Sequence, residues 1–217
     1  MRIIAAQSPD PGQSIDLMSA PKFLDDADIL ARARLGDVDA FNRLVLDHER
    51  PVYSLAYRLL GNPDDAADAT QDSFVNAYRA INGFRGEAIR PWLFRIAVRC
   101  CYDQLRRRKR RREDSLDADS EEVHWEPADP DPGPELGVLH SETGAAIERA
   151  LQSLPLDQRT IVILCDVQGL SYEEAAEAAD LELGTVKSRL SRARSRLREL
   201  LRARGELPGA SDRLAEM

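Results

Sequence analysis

The run SYEEAAEAADLELGTVKSRLSRARSRLREL, residues 171–200, leaves the backbone few options. Ser171 is followed three residues later by Glu174, the spacing of a capping box, in which each side chain bonds the other residue's backbone N–H. Leu170 before the cap and Ala175 after it suit a hydrophobic staple. The helix that starts there is short and alanine-rich, which lets a second helix approach closely. Residues 180–184 break the period and turn the chain. From about Thr185 the apolar residues recur helically again: Val186, Leu190, Ala193 and Leu197 fall on one stripe. Lys187, Ser188, Ser191 and Arg192 fall on the other side, near the start of that second helix. Cap, turn, apolar stripe and the onset of positive charge together describe a helix-turn-helix. The second helix of such a unit presents its first turns to base edges in a DNA groove. Arg189, Arg194, Arg196 and Arg198 add charge suited to phosphates. A cationic helix face is often only a solvated one, but solvation alone explains neither the cap nor the turn.

A chain that meets DNA and yet carries a formal net charge of −8 over 217 residues must segregate its charge. It does. Residues 90–112 hold nine arginines and one lysine against Asp103 alone. Residues 113–135 hold ten carboxylates and no lysine or arginine. Residues 187–204 are basic again. The local field, not the total, is what a polyanion meets.

Periodicity elsewhere is helical throughout, with no strand-period segment and no internal repeat, so the expected fold class is all-α. Residues 1–21, rich in Pro, Ser, Gly and Asp, read as disordered. A helix over 24–35 ends at Gly36, and Asp37 caps the next, with Phe41, Leu44, Val45 and Leu46 apolar. Pro51 marks a break or a new first turn, after which Val52, Leu55, Ala56, Leu59 and Leu60 run on to Gly61. Asn62 as cap, Pro63 in first position, and Asp64 and Asp65 against the helix dipole make the clearest helix start in the chain. One face of that helix reads Ala67, Thr70, Phe74, Ala77, Tyr78 and Ile81; its neighbour carries Asp68, Gln71, Asp72 and Val75. After a loop at 82–87 a helix from Pro91 to about Arg112 follows, with Trp92, Ile96, Cys100 and Leu105 expected to be buried and its arginines exposed. Residues 113–140 are acidic and interrupted by Pro127, Pro130, Pro132 and Pro134, a linker with nothing to bury. Helices over 142–153, 156–167, 171–179 and 184–203 complete a second unit. The division is a segment 1–21, a domain 22–112, a linker 113–140, a domain 141–204 and a tail 205–217.

Several classes of function fall away. Apolar runs stay well short of the roughly 20 residues a membrane span needs. The first residues lack the make-up of a secretory signal. A cytoplasmic protein without membrane insertion is expected. Cys100, Cys101 and Cys165 do not form a disulfide framework, and His48, His124 and His140 match no metal spacing, so neither metal nor cofactor is expected. A nuclease would want carboxylates clustered for metal ions, whereas these lie in caps and linker. Gly-rich phosphate loops and nucleophile–base constellations are likewise missing, and no enzyme is expected.

With both units laid out, the chain resembles the extracytoplasmic-function sigma factors, the smallest specificity subunits of bacterial RNA polymerase. Three segments carry the resemblance: NPDDAADATQDSFVNAYRAINGFRG, RPWLFRIAVRCCYDQLRRRKRR, and LPLDQRTIVILCDVQGLSYEEAAEAADLELGTVKSRLSRARSRLREL. It covers about residues 24–204. It implies two helical domains, sigma domain two and sigma domain four, on a flexible tether. It further implies that Asp68, Gln71, Asp72 and Val75 face the clamp of the largest polymerase subunit. Arg85, Ile89, Arg95, Arg99, Arg106 and Arg107 would then follow the −10 promoter element as it opens. Thr185, Lys187, Ser188, Arg189, Ser191, Arg192, Arg194 and Arg196 would meet the −35 element. Core RNA polymerase, promoter DNA and an anti-sigma factor are the implied partners. Two departures matter: the family often has Asn at the position of Arg99 and a small polar residue at that of Ile89, so −10 preference does not transfer from relatives. A helix-turn-helix activator or repressor is the competing reading, though it would need neither the acidic face at Asp68 nor the second basic helix.

Overall fold

The computed structural model describes residues 26–86, 88–114 and 142–203. The expected terminal segments and most of the expected linker lie outside these. Among the described residues every regular element is helical. Helix α1 (Asp26–Arg34) ends at Gly36, whose φ of +90° an L side chain would resist. Asp37 then caps α2 (Val38–Leu60), accepting the Ala40 N–H at 3.1 Å. The Ala40 N–H, and next the Arg32 guanidinium, hold the Asp37 carboxyl below its ordinary range.

Pro51 does not break the chain. Helix α2 runs through it without interruption, so the two shorter helices expected on either side are one. Pro51 costs the helix one N–H bond, but Val52, Leu55, Ala56 and Leu59, at most 1 % exposed, bury a continuous stripe just beyond it. Tertiary burial outweighs the local penalty. Gly61 closes α2 in the left-handed conformation, its N–H bonding Tyr57 O at 2.8 Å. Asn62 starts α3 (Pro63–Ala80) at once, accepting the Asp65 N–H at 2.9 Å.

Helix α4 spans Ile89–Asp114. Its buried stripe is Leu93, Phe94, Ala97, Val98 and Cys101. This corrects the expectation of Trp92, Ile96, Cys100 and Leu105, which are only half-buried. The reason is the neighbours: α4 packs against α2, α3 and α7, and where these helices meet it sets which of its side chains are interior. The half-buried Cys100 accepts from Asn76 Nδ2 at 3.4 Å, while burial pushes the Cys101 thiol far up.

The second domain comprises α5 (Glu142–Gln152), α6 (Leu156–Val162), α7 (Tyr172–Ala179) and α8 (Leu183–Ala203). Helix α6 passes directly into one π turn, Ile163–Val167. The widened turn still buries Ile163 and Leu164 completely. The capping box at α7 forms both bonds, Ser171 N–H to Glu174 Oε2 at 2.8 Å and Glu174 N–H to Ser171 Oγ at 3.1 Å.

The two domains are packed on one another. One contiguous apolar cluster runs from Ile29 to Ala193, with α7 lying along α4 and α5 and α6 against α2. Polar contacts cross the boundary too. Arg58 Nε meets Glu148 Oε1 at 2.8 Å, both side chains nearly excluded from water. Arg159 donates to Leu59 O at 2.9 Å and Gln152 Nε2 to Arg58 O at 2.9 Å. Gln168 Nε2 donates to Pro51 O at 3.2 Å.

Candidate functional site

The helix-turn-helix geometry comes from one unusual residue. Asp180 follows α7 at φ 56°, ψ 51°, the single non-glycine residue with positive φ among those described. A short polar side chain makes this conformation accessible to aspartate. Leu181 N–H then closes back on Ala176 O at 2.9 Å, and α8 begins at Leu183. The turn is therefore shorter than residues 180–184, and Gly184 lies inside the helix. Val186, Leu190 and Ala193 are buried on the core side of α8, with Leu197 half-buried at its edge.

On the opposite side Lys187, Ser188, Ser191 and Arg192 are exposed together, and Thr185 is half-buried beside them. Arg192 Nε donates to Ser188 O at 3.2 Å, so its guanidinium is parked along the helix and free to swing outward. The other arginines of α8 divide. Arg196 is exposed. Arg189 is half-buried and reaches Asp157 of α6 at 3.4 Å. Arg194 makes a two-pronged contact with Asp166, Nε at 3.0 Å and Nη2 at 2.5 Å, which pushes its pKa higher still. Arg194 thus braces α8 against the π turn.

The candidate −10 residues lie on α4 and the loop before it. Arg85 and Arg107 are exposed. Arg106 is exposed and pairs with Asp103 one turn earlier. Ile89 is half-buried against the core. Before the helix, the Phe84 ring lies 4.8 Å from that of Trp92, and the Arg34 guanidinium sits 5.0 Å above it. A Cβ on Gly86 would come within 2.8 Å of Phe84, so only glycine lets the backbone pass that ring. Phe94, at 1 % exposure, is unavailable for stacking. Arg95 and Arg99, at i and i+4, both reach Asp180 of the second domain, each at 3.5 Å. Next along the stripe, Tyr102 Oη lies 2.8 Å from Thr160 Oγ1, and Arg90, at the start of the helix, donates to Gln168 O at 2.7 Å. The sequence pattern places Arg95 and Arg99 on one basic helix and does not bring Asp180, Gln168 or Thr160 near it. Nothing local in the sequence signals these cross-domain pairs.

Helix α3 presents Asp68, Gln71, Asp72 and Val75 together to solvent, with Val75 41 % exposed. Thr70, Phe74, Ala77 and Ile81 of the neighbouring face are buried, whereas Ala67 and Tyr78 are exposed. Tyr78 instead rests edge-on against Phe41 at 5.0 Å. Between α2 and α3 a shallow groove of about 1000 Å³ is lined by Phe41, Val45, Tyr53, Gln71, Phe74 and Val75 among others. The groove and the acidic face are continuous through Gln71 and Val75.

Two family models match the chain: Sigma-70 region 2 over residues 44–111 and Sigma-70, region 4 over residues 144–197. The chain is 42 % identical over 162 residues to the ECF RNA polymerase sigma factor SigE of Mycolicibacterium smegmatis; the match takes in 75 % of this chain and 62 % of that protein. It is 35 % identical over 181 residues to the RNA polymerase sigma-H factor of Pseudomonas aeruginosa, covering 81 % of this chain and 93 % of that one. Among solved structures it resembles the sigma factor RpoE of Bartonella quintana, determined in complex with the anti-sigma factor NepR. There the TM-score is 0.61 at 34 % identity, with 75 % of this chain and 96 % of that chain covered. Two basic helical units in the family's order, with an acidic helix face ahead of the first, agree with these likenesses: the chain belongs to the extracytoplasmic-function sigma factors of bacterial RNA polymerase.

Proposed function

We propose that this sigma factor is carried on core polymerase by α3 and reads a promoter at two places, −10 with the loop at 84–89 and α4, and −35 with the first turns of α8. The division into residues 22–112, a linker 113–140 and residues 141–204 assigns one reading unit to each end of the promoter. Supporting this is the separation of roles by exposure: the α3 carboxylates and the α8 base-facing side chains are both open to solvent, on different helices. A helix-turn-helix repressor would use α8 and leave the Asp68–Val75 face without a task.

On α8, Lys187 and Arg192 are the residues with the chemistry to donate to guanine O6 and N7, and Ser188 and Ser191 to either kind of base. Arg196, and Arg189 once released from Asp157, suit phosphates, which fix register without reading sequence. Thr185 and Arg194 stand at the edges of that surface. Along α4 the exposed Arg85, Arg106 and Arg107 and the paired Arg95 and Arg99 would track the phosphates of an opened strand beside Ile89. The subunit supplies selection, and the chemistry stays with polymerase, in the cytoplasm. An anti-sigma factor is a further partner, as the Bartonella relative has one.

The decisive experiment adds the purified chain to sigma-free core polymerase on genomic promoter fragments. Selective transcripts support the reading, and transcription no more selective than that of bare core refutes it. Charge reversal at Asp72 should weaken capture of core polymerase at least several-fold with helical content unchanged; undiminished capture would remove α3 from the interface.

A further inference from the structure

Helix α1 carries two arginines in its last turn, where a cation ordinarily just complements the helix dipole. Arg32 stays local: its guanidinium pairs with Asp37, the cap of α2, at 2.7 Å. Arg34 does not. Its Nη2 crosses 52 positions of sequence to donate to Gly86 O at 2.9 Å. Its guanidinium carbon stands 5.0 Å from the centre of the Phe84 ring. Its Nε is shut off from water with no hydrogen-bond partner among the described residues. A cation that served the dipole alone would keep its donors in water and avoid that desolvation cost.

The backbone that carries Arg34 is closed off by hydrogen bonds. Leu35 N–H bonds Arg32 O and Gly36 N–H bonds Ala33 O, each at 3.0 Å, and Asp37 N–H returns to Arg32 O at 3.1 Å. Ala33, the residue before, is 1 % exposed. The loop that Arg34 reaches is built over one ring. Phe84 is 6 % exposed and lies tilted against Trp92. Gly86 passes so close to that ring that a Cβ would meet it at 2.8 Å. Arg34 engages both residues, the ring through the guanidinium and the glycine through its carbonyl. A planar fork of donors can do both at once, whereas a lysine ammonium has the charge without the plane.

We infer that Arg34 is a positioning residue for the −10 loop: from α1 it fixes Phe84 and Gly86, and with them the path on which the loop meets an opened strand. This rests on the −10 reading proposed above. A melted strand gives up its own freedom on binding. A loop already in its bound shape spares a second ordering cost and tests each extruded base against a fixed geometry. Without the fork the backbone is released at Gly86, and both effects shrink. Phe84 and Gly86 belong to neither α3 nor α8, so polymerase capture and −35 contact are left as they are.

The test uses the full chain as wild type, Arg34→Met and Arg34→Lys, with the melting temperature of each measured. In the free chain, amide hydrogen exchange over residues 84–89 should quicken about tenfold in both variants. In holoenzyme, on a promoter fragment that the wild type selects, permanganate reactivity of the opened −10 region should fall about fivefold. The spread of transcript yields over single-base −10 variants should narrow, with core capture and −35 duplex binding unchanged. Unchanged exchange over the loop overturns the positioning role, whatever the melting temperature does. Arg34→Lys matching wild type also overturns it, since charge alone would then suffice. Faster exchange with −10 preference unaltered refutes the link to promoter reading. If wild-type holoenzyme selects no promoter, the −10 reading fails by itself, and the exchange measurement still decides whether Arg34 holds the loop.

Discussion

Arg192 and Arg194 stand two positions apart on α8 and have different work. Arg192 lies along its own helix, bonded among the described residues to Ser188, while Arg194 is spent on Asp166. Arg192→Ala should therefore relax discrimination at one −35 position by about 1–3 kcal/mol, read as a promoter-variant panel. Arg196→Ala should weaken every promoter alike and lower the salt slope of binding by about one. Arg194→Ala should instead lower the melting temperature, because it leaves Asp166 at the π turn unpaired; a change confined to promoter choice would reverse that assignment. Burial, and next the Asp166 charge, push the Cys165 thiol up to about 11. At pH 7.5 its alkylation should be slower than that of free cysteine by at least about tenfold, since the thiolate is the reactive form. Labelling at the free-cysteine rate would contradict the packing around it. Charge type and spacing in the sequence were enough to put Lys187, Ser188, Ser191 and Arg192 on the side of α8 that the structure leaves exposed. Which arginine is spent on an internal partner depended on where Asp157 and Asp166 come to lie, and no pattern within α8 encodes that.

At the level of elements, local signals were most reliable where they concern helix ends. The caps at Asp37, Asn62 and Ser171 and the left-handed glycines at 36 and 61 all lie where the sequence puts them. A cap is a contact within four residues, so the chain specifies it without help. Ser171→Ala removes a capping-box acceptor from an eight-residue helix and should cost about 1 kcal/mol, visible as a lower urea midpoint. Leu190→Ala, at 2 % exposure in the core between α8 and its neighbours, should cost about 2–5 kcal/mol. The local rules failed at Pro51 and on α4. In α2 the burial of Val52, Leu55 and Leu59 carries the helix through a residue that would ordinarily end it. On α4 the expected core stripe was displaced, because a helix flanked by α2, α3 and α7 buries more than one face. The displaced apolar residues, Trp92 and Ile96 among them, are half-covered at the margins.

For the whole molecule, charge segregation along the sequence is as informative as any motif. A net charge of −8 coexists with two cationic helices because the carboxylates gather between them in sequence, at 113–135. Deleting residues 115–138 should raise non-specific DNA affinity, most at low salt, where repulsion between that segment and a polyanion is least screened. Equal affinity at low salt would show the acidic stretch to be electrostatically idle toward DNA. The all-helical fold, its caps, the amphipathic α8 and the exposed acidic face of α3 were determined by the sequence alone, because each depends on residues within a few turns of one another. Only the tertiary structure decided that Arg95 and Arg99 meet Asp180, that Arg58 is buried against Glu148, and that α4 is covered on several sides. Those contacts join residues some 80 or more positions apart, and their formation depends on shape and burial summed over two domains, which no short-range pattern of residues contains.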